Sequence, residues 1–560
     1  MMSLVNSTSI VHILYGWYIY IIPSLFLAII LGIAIHDYIL TLRMPPGPRP
    51  LPFIGNRLSI PQNSPWIQFE KWSKAYGPIY TLWMGRRPTV IISDPNVAVD
   101  LLEKRSNKFS SRPRFVVMGE LYWDNASILV QPYGREWQLR RKLLHQALNP
   151  SALKLYKPIQ EAEATRLCHQ LLMNPKAYEG LLDRFTSSVV FSISYGHRID
   201  SMNAKVIRER LEFMQYSASL NVPGKYLVES MPILKYVPNW LAPWKKAIQD
   251  KGRHEAAVNM SLVRQVQNEM STKADIPESL TKILLRAKEE DPESFSMLSE
   301  RDFSFIPASL FGAGSDTTAS TLCSGILMLI TNPITLQAAH AELDAVIGSD
   351  RLPTFQDEKN LPYISAMCSE ILRIRPVAVL GGTPHANSES DIYQGFYIPK
   401  GTNILSNSWA INLNPRYYPN PHHFNPLRFL PNNITPSSLS YLPKEYVDST
   451  PLEKGEPHPS RDGHSSFGWG RRICPGAGLA RNSLFIAVAK MLWTFDILPI
   501  TEKGGSTRKY DTFAYTEGFN VRPRPFECVI KVRSEKHEAV LKREFVEAEQ
   551  TMGRFSAFSE

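Results

Sequence analysis

Cysteine is scarce in this chain of 560 residues, with five at Cys168, Cys323, Cys368, Cys474 and Cys528. An odd and scattered set excludes a disulfide framework and points to a body that faces the cytosol. Lys and Arg are missing altogether before Arg43, which removes the basic leader of a cleavable signal peptide. Long apolar runs are nearly absent, so a multi-span membrane protein is excluded; the exception is the uncharged stretch from Ile13 to Ile35. No internal repeat is visible, because 43 prolines interrupt the pattern. With 44% hydrophobic and 20% charged residues the chain is neither disordered nor collagen-like. Acidic residues number 52 against 62 basic ones, a net charge of +10. That balance favours an acidic partner or an anionic membrane surface, and no motif supports nucleic acid.

At about 1.5 Å per residue, Ile13 to Ile35 is long enough to cross a hydrocarbon core about 30 Å thick. Trp17, Tyr18 and Tyr20 add interfacial aromatics to its first half. A removed signal is the alternative, disfavoured by length and by the missing basic residues. Positive charge after the span, at Arg43, Arg49 and Arg57, places the N-terminus in the lumen and the rest in the cytosol. Residues 1–40 are therefore expected to be a luminal end and single transmembrane anchor. Residues 41–58 follow as a Pro-rich hinge, stiff and extended because each Pro fixes φ.

Residues 59–533 read as one body without a break into two cores. Ile79–Trp83 and Thr89–Ile92 flank Gly85-Arg-Arg-Pro88, a hairpin signal. Up to about residue 375 apolar residues recur at helical spacing. Beyond Ile398 Pro-rich loops and short strands take over, with a polar stretch at 431–466 that reads as a surface insertion. Residues 534–560 form a charged, weakly helical tail.

Cys474 stands in Phe467-Gly-Trp-Gly-Arg-Arg-Ile-Cys-Pro-Gly476. Gly470 and Gly476 lack the Cβ that would keep backbone away from something flat. No second Cys or His lies at zinc-finger spacing, since His464 is ten residues away without a partner, which argues against a tetrahedral zinc site. A single thiolate on one metal is the haem-thiolate arrangement; the alternative is a buried free Cys beside a glycine turn. The pattern F-x-x-G-x-R-x-C-x-G, met at Phe467, Gly470, Arg472, Cys474 and Gly476, resembles the cysteine loop of the cytochrome P-450 superfamily.

Ala313-Gly-Ser-Asp-Thr-Thr318 lies within an apolar run from about Ser299 to Thr331. Ser299 and Asp302 suit an N-terminal cap, and Pro307 is near enough to the start to bend the helix rather than break it. Ala313, Asp316 and Thr317 share one face of this buried helix. Read alone, the hydroxyls are satisfied by bonding back to the preceding turn. The segment is similar to the family's A-G-x-D-T-T helix, and the resemblance implies that Asp316 and Thr317 relay protons to dioxygen at the iron while Ala313 and Gly314 line the oxygen pocket.

Glu370-Ile-Leu-Arg373 places opposite charges on one helical face, a weak signal that Glu163-Ala-Thr-Arg166 repeats elsewhere and that is usually a solvated pair. Its following context, through Arg375-Pro376, Thr383-Pro-His-Ala386 and Phe424-Asn-Pro-Leu-Arg428, resembles microsomal P-450s of fungal type. The resemblance implies a buried triad of Glu370, Arg373 and Arg428. Leu427 stands where the family commonly has Glu, which puts the local surface in doubt. Trp137 and Arg141 lie four apart in a basic segment that by itself is equally an amphipathic helix. The family's W-x-x-x-R implies that they bind haem propionate, with Arg472 and His385 at two further propionate positions. Arg140, Lys142 and Arg471 would then be left on the surface where an acidic flavoprotein docks.

The resemblance spans about Pro45 to Val532. It implies a mainly α fold with small β-sheets behind one transmembrane helix, haem b (iron protoporphyrin IX) ligated by Cys474, and an endoplasmic-reticulum anchor with the catalytic body in the cytosol. The implied reaction is monooxygenation of a lipophilic small molecule using O2 and electrons from NADPH through NADPH-cytochrome P-450 reductase, in a monomeric catalytic body. A fungal secondary metabolite (terpenoid, polyketide or indole alkaloid) is the implied substrate, touched by Val117–Val130, Phe305–Thr318, Val377–Thr383 and Ala514–Phe519. Two other classes stay open: a haem-thiolate isomerase or dehydratase that needs no O2, against which the Asp316-Thr317 pair argues, and a non-catalytic membrane-tethered haem protein.

Overall fold

Ser299 opens the helix on which the rest is assembled. In the computed structural model, which describes residues 7–220, 225–273, 275–450 and 455–558 with side chains from residue 21, this central helix runs Glu300–Thr331. Ser299 Oγ accepts from the Asp302 amide at 3.1 Å while the Asp302 carboxylate takes the Ser299 hydroxyl at 2.7 Å, a reciprocal cap. Pro307 is accommodated inside it. The middle of the sequence is apolar on all sides, so the helix is largely buried between its ends, with an accessible patch at Ala313, Gly314, Asp316 and Thr317 and at Ser309 one turn earlier. The helix Tyr178–Tyr195 packs along it so closely that a Cβ at Gly314 would collide with Val190. Gly314 therefore serves helix packing as well as forming part of that accessible patch.

The expected hairpin is β1 (Ile79–Met84) and β2 (Arg87–Ile92), antiparallel about Gly85 and Arg86. It extends into a four-stranded sheet of order β1-β2-β6-β3, with β3 at His385–Ala386 and β6 at Asn403–Ser406, β2 and β6 running parallel. Two further hairpins pair β4 (Asp391–Tyr393) with β5 (Phe396–Ile398) and β7 (Phe495–Leu498) with β8 (Val529–Val532). The molecule is mainly helical with small sheets.

Three segments differ from the sequence reading. The Pro-rich hinge is strapped to β1, where Thr81 donates to Pro46 O at 3.0 Å and Asn56 exchanges bonds with Trp83 at 2.7 and 2.8 Å. A Cβ at Gly47 would collide with the Thr81 carbonyl, and Met44 is buried under the sheet. The stretch 431–466 is more than a surface insertion: Tyr446 is fully buried with its hydroxyl 2.8 Å from that of Tyr363, and Tyr441 reaches Glu342 at 2.7 Å. Residues 451–454 of that stretch lie outside the described residues. The tail is a helix, Glu535–Met552, capped by Ser534 and docked on the helix Pro150–Met173 through Phe545 stacked on His169 and through buried Val540, Leu541 and Met552. Charge dominates its composition because only one stripe is buried, and a stripe of few apolar residues is easy to overlook.

The first helix, Ser7–Arg43, continues beyond the expected Ile35. Its portion Ile21–Arg43 is long and apolar enough to cross a membrane and is not buried in the protein. Trp17, Tyr18 and Tyr20 lie outside the described side chains. The Arg86 guanidinium grips Asp37 near its end at 2.6 and 3.0 Å.

Removing residues 1–40 should leave the melting temperature within a few degrees of the full chain, because apart from Leu40 and the exposed Asp37–Arg86 pair this segment does not touch the core. Removing residues 1–58 should lower it by clearly more, since Met44 alone, on leaving its buried site, costs about 1.5–3 kcal/mol. Equal melting of the two truncations would contradict the strap.

Candidate active site

The cysteine loop is closed by Cys474 N donating to Phe467 O at 2.8 Å and pinned by Trp469, which packs with the sheet residues Trp83, Ile92 and Ile404. Gly470 has φ +56, and a Cβ there would collide with the Leu102 carbonyl of the neighbouring segment Val99–Lys104. This backbone contact alone requires glycine at the position. Gly476 is unstrained, and its nearest neighbour would be Cys474 Sγ at 3.9 Å. Cys168, Cys323 and Cys368 are buried, whereas Cys474 is accessible. Surrounding protein still pushes its thiol pKa up by desolvation, opposed by the Gly476 amide and by Arg141 and Arg481. An accessible atom so enclosed sits at the floor of a concavity. The helix Ala477–Thr494 begins just beyond it, so its N-terminal dipole favours the thiolate.

Around this loop converge Arg112, Arg141 and Arg472. Arg141 donates to Ile473 O at 2.6 Å; Arg472 donates to Ser110 O and Gln131 O, both at 2.8 Å, with its guanidinium 4.1 Å over the Trp137 ring. Arg112 donates to Thr383 O at 2.7 Å and Pro384 O at 3.0 Å. Among the described residues these bonds all go to carbonyl oxygens, and no carboxylate pairs any of the three. Burial, with Arg112 and Arg141 pressing on it, holds Arg472 down to about 8, and burial holds Arg112 down to about 9. Guanidinium does not readily give up its proton, so the cluster suits an anionic ligand. His385 Nδ1–H donates to Phe109 O at 2.8 Å, and the imidazole is pushed to about 3 by burial, Arg112 and Arg472. His385 is therefore neutral here, and Arg112, which no spacing pattern marked, joins Arg141 and Arg472 as a cation beside the loop. Arg140 is also not on the docking surface: it is buried and bonds Asp302 at 2.7 Å, while Lys142 and Arg471 are exposed.

Glu370 and Arg373 form a bidentate pair at 2.6 and 2.7 Å with neither side chain exposed. Arg373 also donates to Asn412 O at 3.0 Å and Pro421 O at 2.9 Å, Glu370 accepts the Asn425 amide at 2.9 Å, and Arg428 Nε lies 3.8 Å from Glu370. Asn412 Oδ1 then takes the Ser465 amide and hydroxyl, both at 2.8 Å, and Ser466 Oγ donates to Leu372 O at 2.6 Å. The pair thus fixes the chain that leads into Phe467. Glu163 of the repeated spacing pairs instead with Arg184 at 2.5 Å, fully buried, and Arg166 turns to Asp200 at 2.6 Å. Leu427, expected to affect the surface, is buried in the main core.

On the central helix Thr317 Oγ1 donates to Ala313 O at 2.8 Å, and the Asp316 carboxylate accepts from Asn520 at 3.0 Å. The two side chains do not bond each other; each is held by a partner of its own. Apolar residues from the segment Val116–Tyr122, with Trp123, Val130 and Phe305 of the central helix, make one cluster, joining two of the four expected substrate-contacting stretches.

The cytochrome P-450 family model matches residues 45–527. This chain belongs to the cytochrome P-450 family. It is 34% identical over 503 residues to cytochrome P-450 monooxygenase 58 of Postia placenta, covering 88% of this chain and 89% of that one. A cytochrome P-450 monooxygenase of Armillaria gallica shares 32% over 503 residues, with 90% and 92% covered. The monooxygenase verL of Clonostachys rogersoniana shares 30% over 513 residues, with 90% of each chain covered. The protein is accordingly a cytochrome P-450 monooxygenase, a class built on haem-thiolate chemistry. Its residues fit that cofactor: unpaired arginines suit two propionates, and a metal brought by a macrocycle needs one protein ligand. Among the described residues no group of three His, Cys, Asp or Glu could hold a metal by itself.

Glu370→Ala leaves the buried Arg373 uncompensated and should cost about 3–5 kcal/mol in unfolding free energy. Leu427→Glu, although it restores the commoner residue of the family, should also destabilise by several kcal/mol because it buries an unpaired charge. Denaturant titration of both variants checks these values, and an unchanged Leu427→Glu midpoint would contradict the burial.

Proposed function

We propose that the chain inserts one oxygen atom from O2 into a lipophilic small molecule, R–H + O2 + NADPH + H+ → R–OH + H2O + NADP+, with electrons delivered by NADPH-cytochrome P-450 reductase. The observation that carries this reading is the accessible Cys474 thiol beside three arginines without carboxylate partners. Cys474 is the protein ligand of the haem iron, and Arg112, Arg141 and Arg472 hold its propionates, with Trp137 packed under Arg472. When bound, the haem supplies the iron centre at which dioxygen is reduced.

The protein's own residues do the rest. Thr317 keeps its hydroxyl proton on Ala313 O, which leaves the oxygen lone pairs free to accept and orient a proton donor. Asp316, partly accessible, exchanges protons between that donor and the solvent side. The apolar cluster at Val117, Leu121 and Phe305 excludes water and favours a lipophilic substrate. Ile21–Arg43 anchors the enzyme in the endoplasmic-reticulum membrane, and the basic residues beyond it place the catalytic body in the cytosol. A fungal secondary metabolite, whether terpenoid, polyketide or indole alkaloid, is the substrate class; the fungal sources of the relatives support it, and product analysis in a reductase-bearing host fed such scaffolds tests it.

Thr317→Ala should keep haem and still draw electrons from NADPH, but more should leave by O2 + NADPH + H+ → H2O2 + NADP+ and fewer as product. The check is peroxide formed per NADPH consumed in the reconstituted system. An unchanged share would mean that Thr317 only satisfies its own helix, and turnover without NADPH or O2 would favour an isomerase.

A further inference from the structure

The face of the central helix that carries Asp316 is covered by a hairpin near the C-terminus. Tyr515 and Pro523 pair antiparallel, with Thr516 N donating to Arg522 O at 2.8 Å and Arg522 N to Thr516 Oγ1 at 3.1 Å. Three side chains of this hairpin reach the central helix. Asn520 Nδ2 donates to Asp316 Oδ2 at 3.0 Å, Arg522 to Cys323 Sγ at 3.3 Å, and Tyr515 OH to Ser324 Oγ at 3.1 Å. Positions 316, 320, 323 and 324 share one helical face, so the hairpin lies along that face for two turns. From the other side Arg522 grips Asp183 of the helix Tyr178–Tyr195 at 3.2 and 3.4 Å.

Asp316 depends on this hairpin for its orientation. It has no bond to Thr317, and its second oxygen has only a long contact to Ser320 Oγ at 3.5 Å. Remove the Asn520 amide and the carboxylate is free to turn about its side-chain torsions. We infer that the 515–523 hairpin is the positioning element of the proton-handling carboxylate, Asn520 holding Asp316 and the Arg522–Asp183 pair clamping the hairpin between the two helices. This rests on the role given to Asp316 above, and Asn520 acts through Asp316 without touching a reacting atom.

The clamp has a titratable partner. Burial raises Asp183 to about 6; Arg522 opposes this, while Asp316 and Glu179 add to it, and Cys323 is the remaining titratable group beside the guanidinium, itself raised to about 12 by burial. A carboxyl whose folded pKa lies above its unfolded value binds more protons when folded. Stability therefore falls as pH rises from about 4 through 6 and is flat above.

The test uses the full-length haem-loaded enzyme with reductase and NADPH, reading the ratio of peroxide to water formed from O2, which needs no identified substrate. Asn520→Leu should load haem normally and raise that ratio about fivefold, the worth of one hydrogen bond as a population ratio. Asn520→Asp, nearly the same size, should do likewise and serves if the Leu variant fails to fold. Asn520→Leu combined with Asp316→Asn should be no worse than Asp316→Asn alone. Without turnover, the melting temperature of the wild type should fall between pH 4 and 6.5 relative to Asp183→Asn. An unchanged ratio in both Asn520 variants, additive effects in the double variant, or parallel melting curves for Asp183→Asn would overturn the inference. If Asp316→Asn itself left the ratio unchanged, the role of Asp316 would fall, and the inference with it. A rise in Asp316→Asn without one in the Asn520 variants would overturn the inference alone.

Discussion

The fully buried pair between Glu370 and Arg373 is the constraint on which the site depends. Two charges withdrawn from water are tolerable only when every remaining donor and acceptor is satisfied. Here the satisfying groups are the backbone of residues 412, 421 and 425. The demand for satisfaction therefore fixes a loop that has little regular structure of its own. Asn412 passes that order on to Ser465, and Ser466 ties back to Leu372, so the loop carrying Cys474 inherits its position from an ion pair far along the chain. The role is positional, since an apolar core of the same size would be as stable.

A second constraint works in the opposite sense. Arg112, Arg141 and Arg472 are collected beside the cysteine loop with carbonyl oxygens as partners; burial disfavours the charge on each, and Arg112 and Arg141 add to that on Arg472. A fold keeps such a cluster when an anion relieves it, and two carboxylates of a bound macrocycle do so. The accessible thiol and the unrelieved cations are two independent features of one concavity, and together they favour a haem-thiolate site over a buried free cysteine.

Much of this was legible in the sequence because it rests on local patterns. The Ser299/Asp302 cap, the hairpin about Gly85 and the cysteine loop each lie within a few residues of one another. What was not legible depends on distant partners. Arg112 has no spacing to mark it, and only the fold brings it to Arg472. The reason for Gly470 is the Leu102 carbonyl, and that for Gly314 is Val190; a sequence shows a missing Cβ and not what approaches it. The charged tail hid a docking stripe of five buried residues, from His537 to Met552. Nor does residue type show that His385 is neutral, which follows from its burial beside two arginines.

The central claim is that Cys474 is the axial ligand in this concavity, and the absorption spectrum of the reduced, CO-bound protein tests it most directly. The wild type should show the long-wavelength band of thiolate ligation, and Cys474→Ala should lose it while the protein remains folded. A Cys474→Ala variant that kept the band would contradict the account.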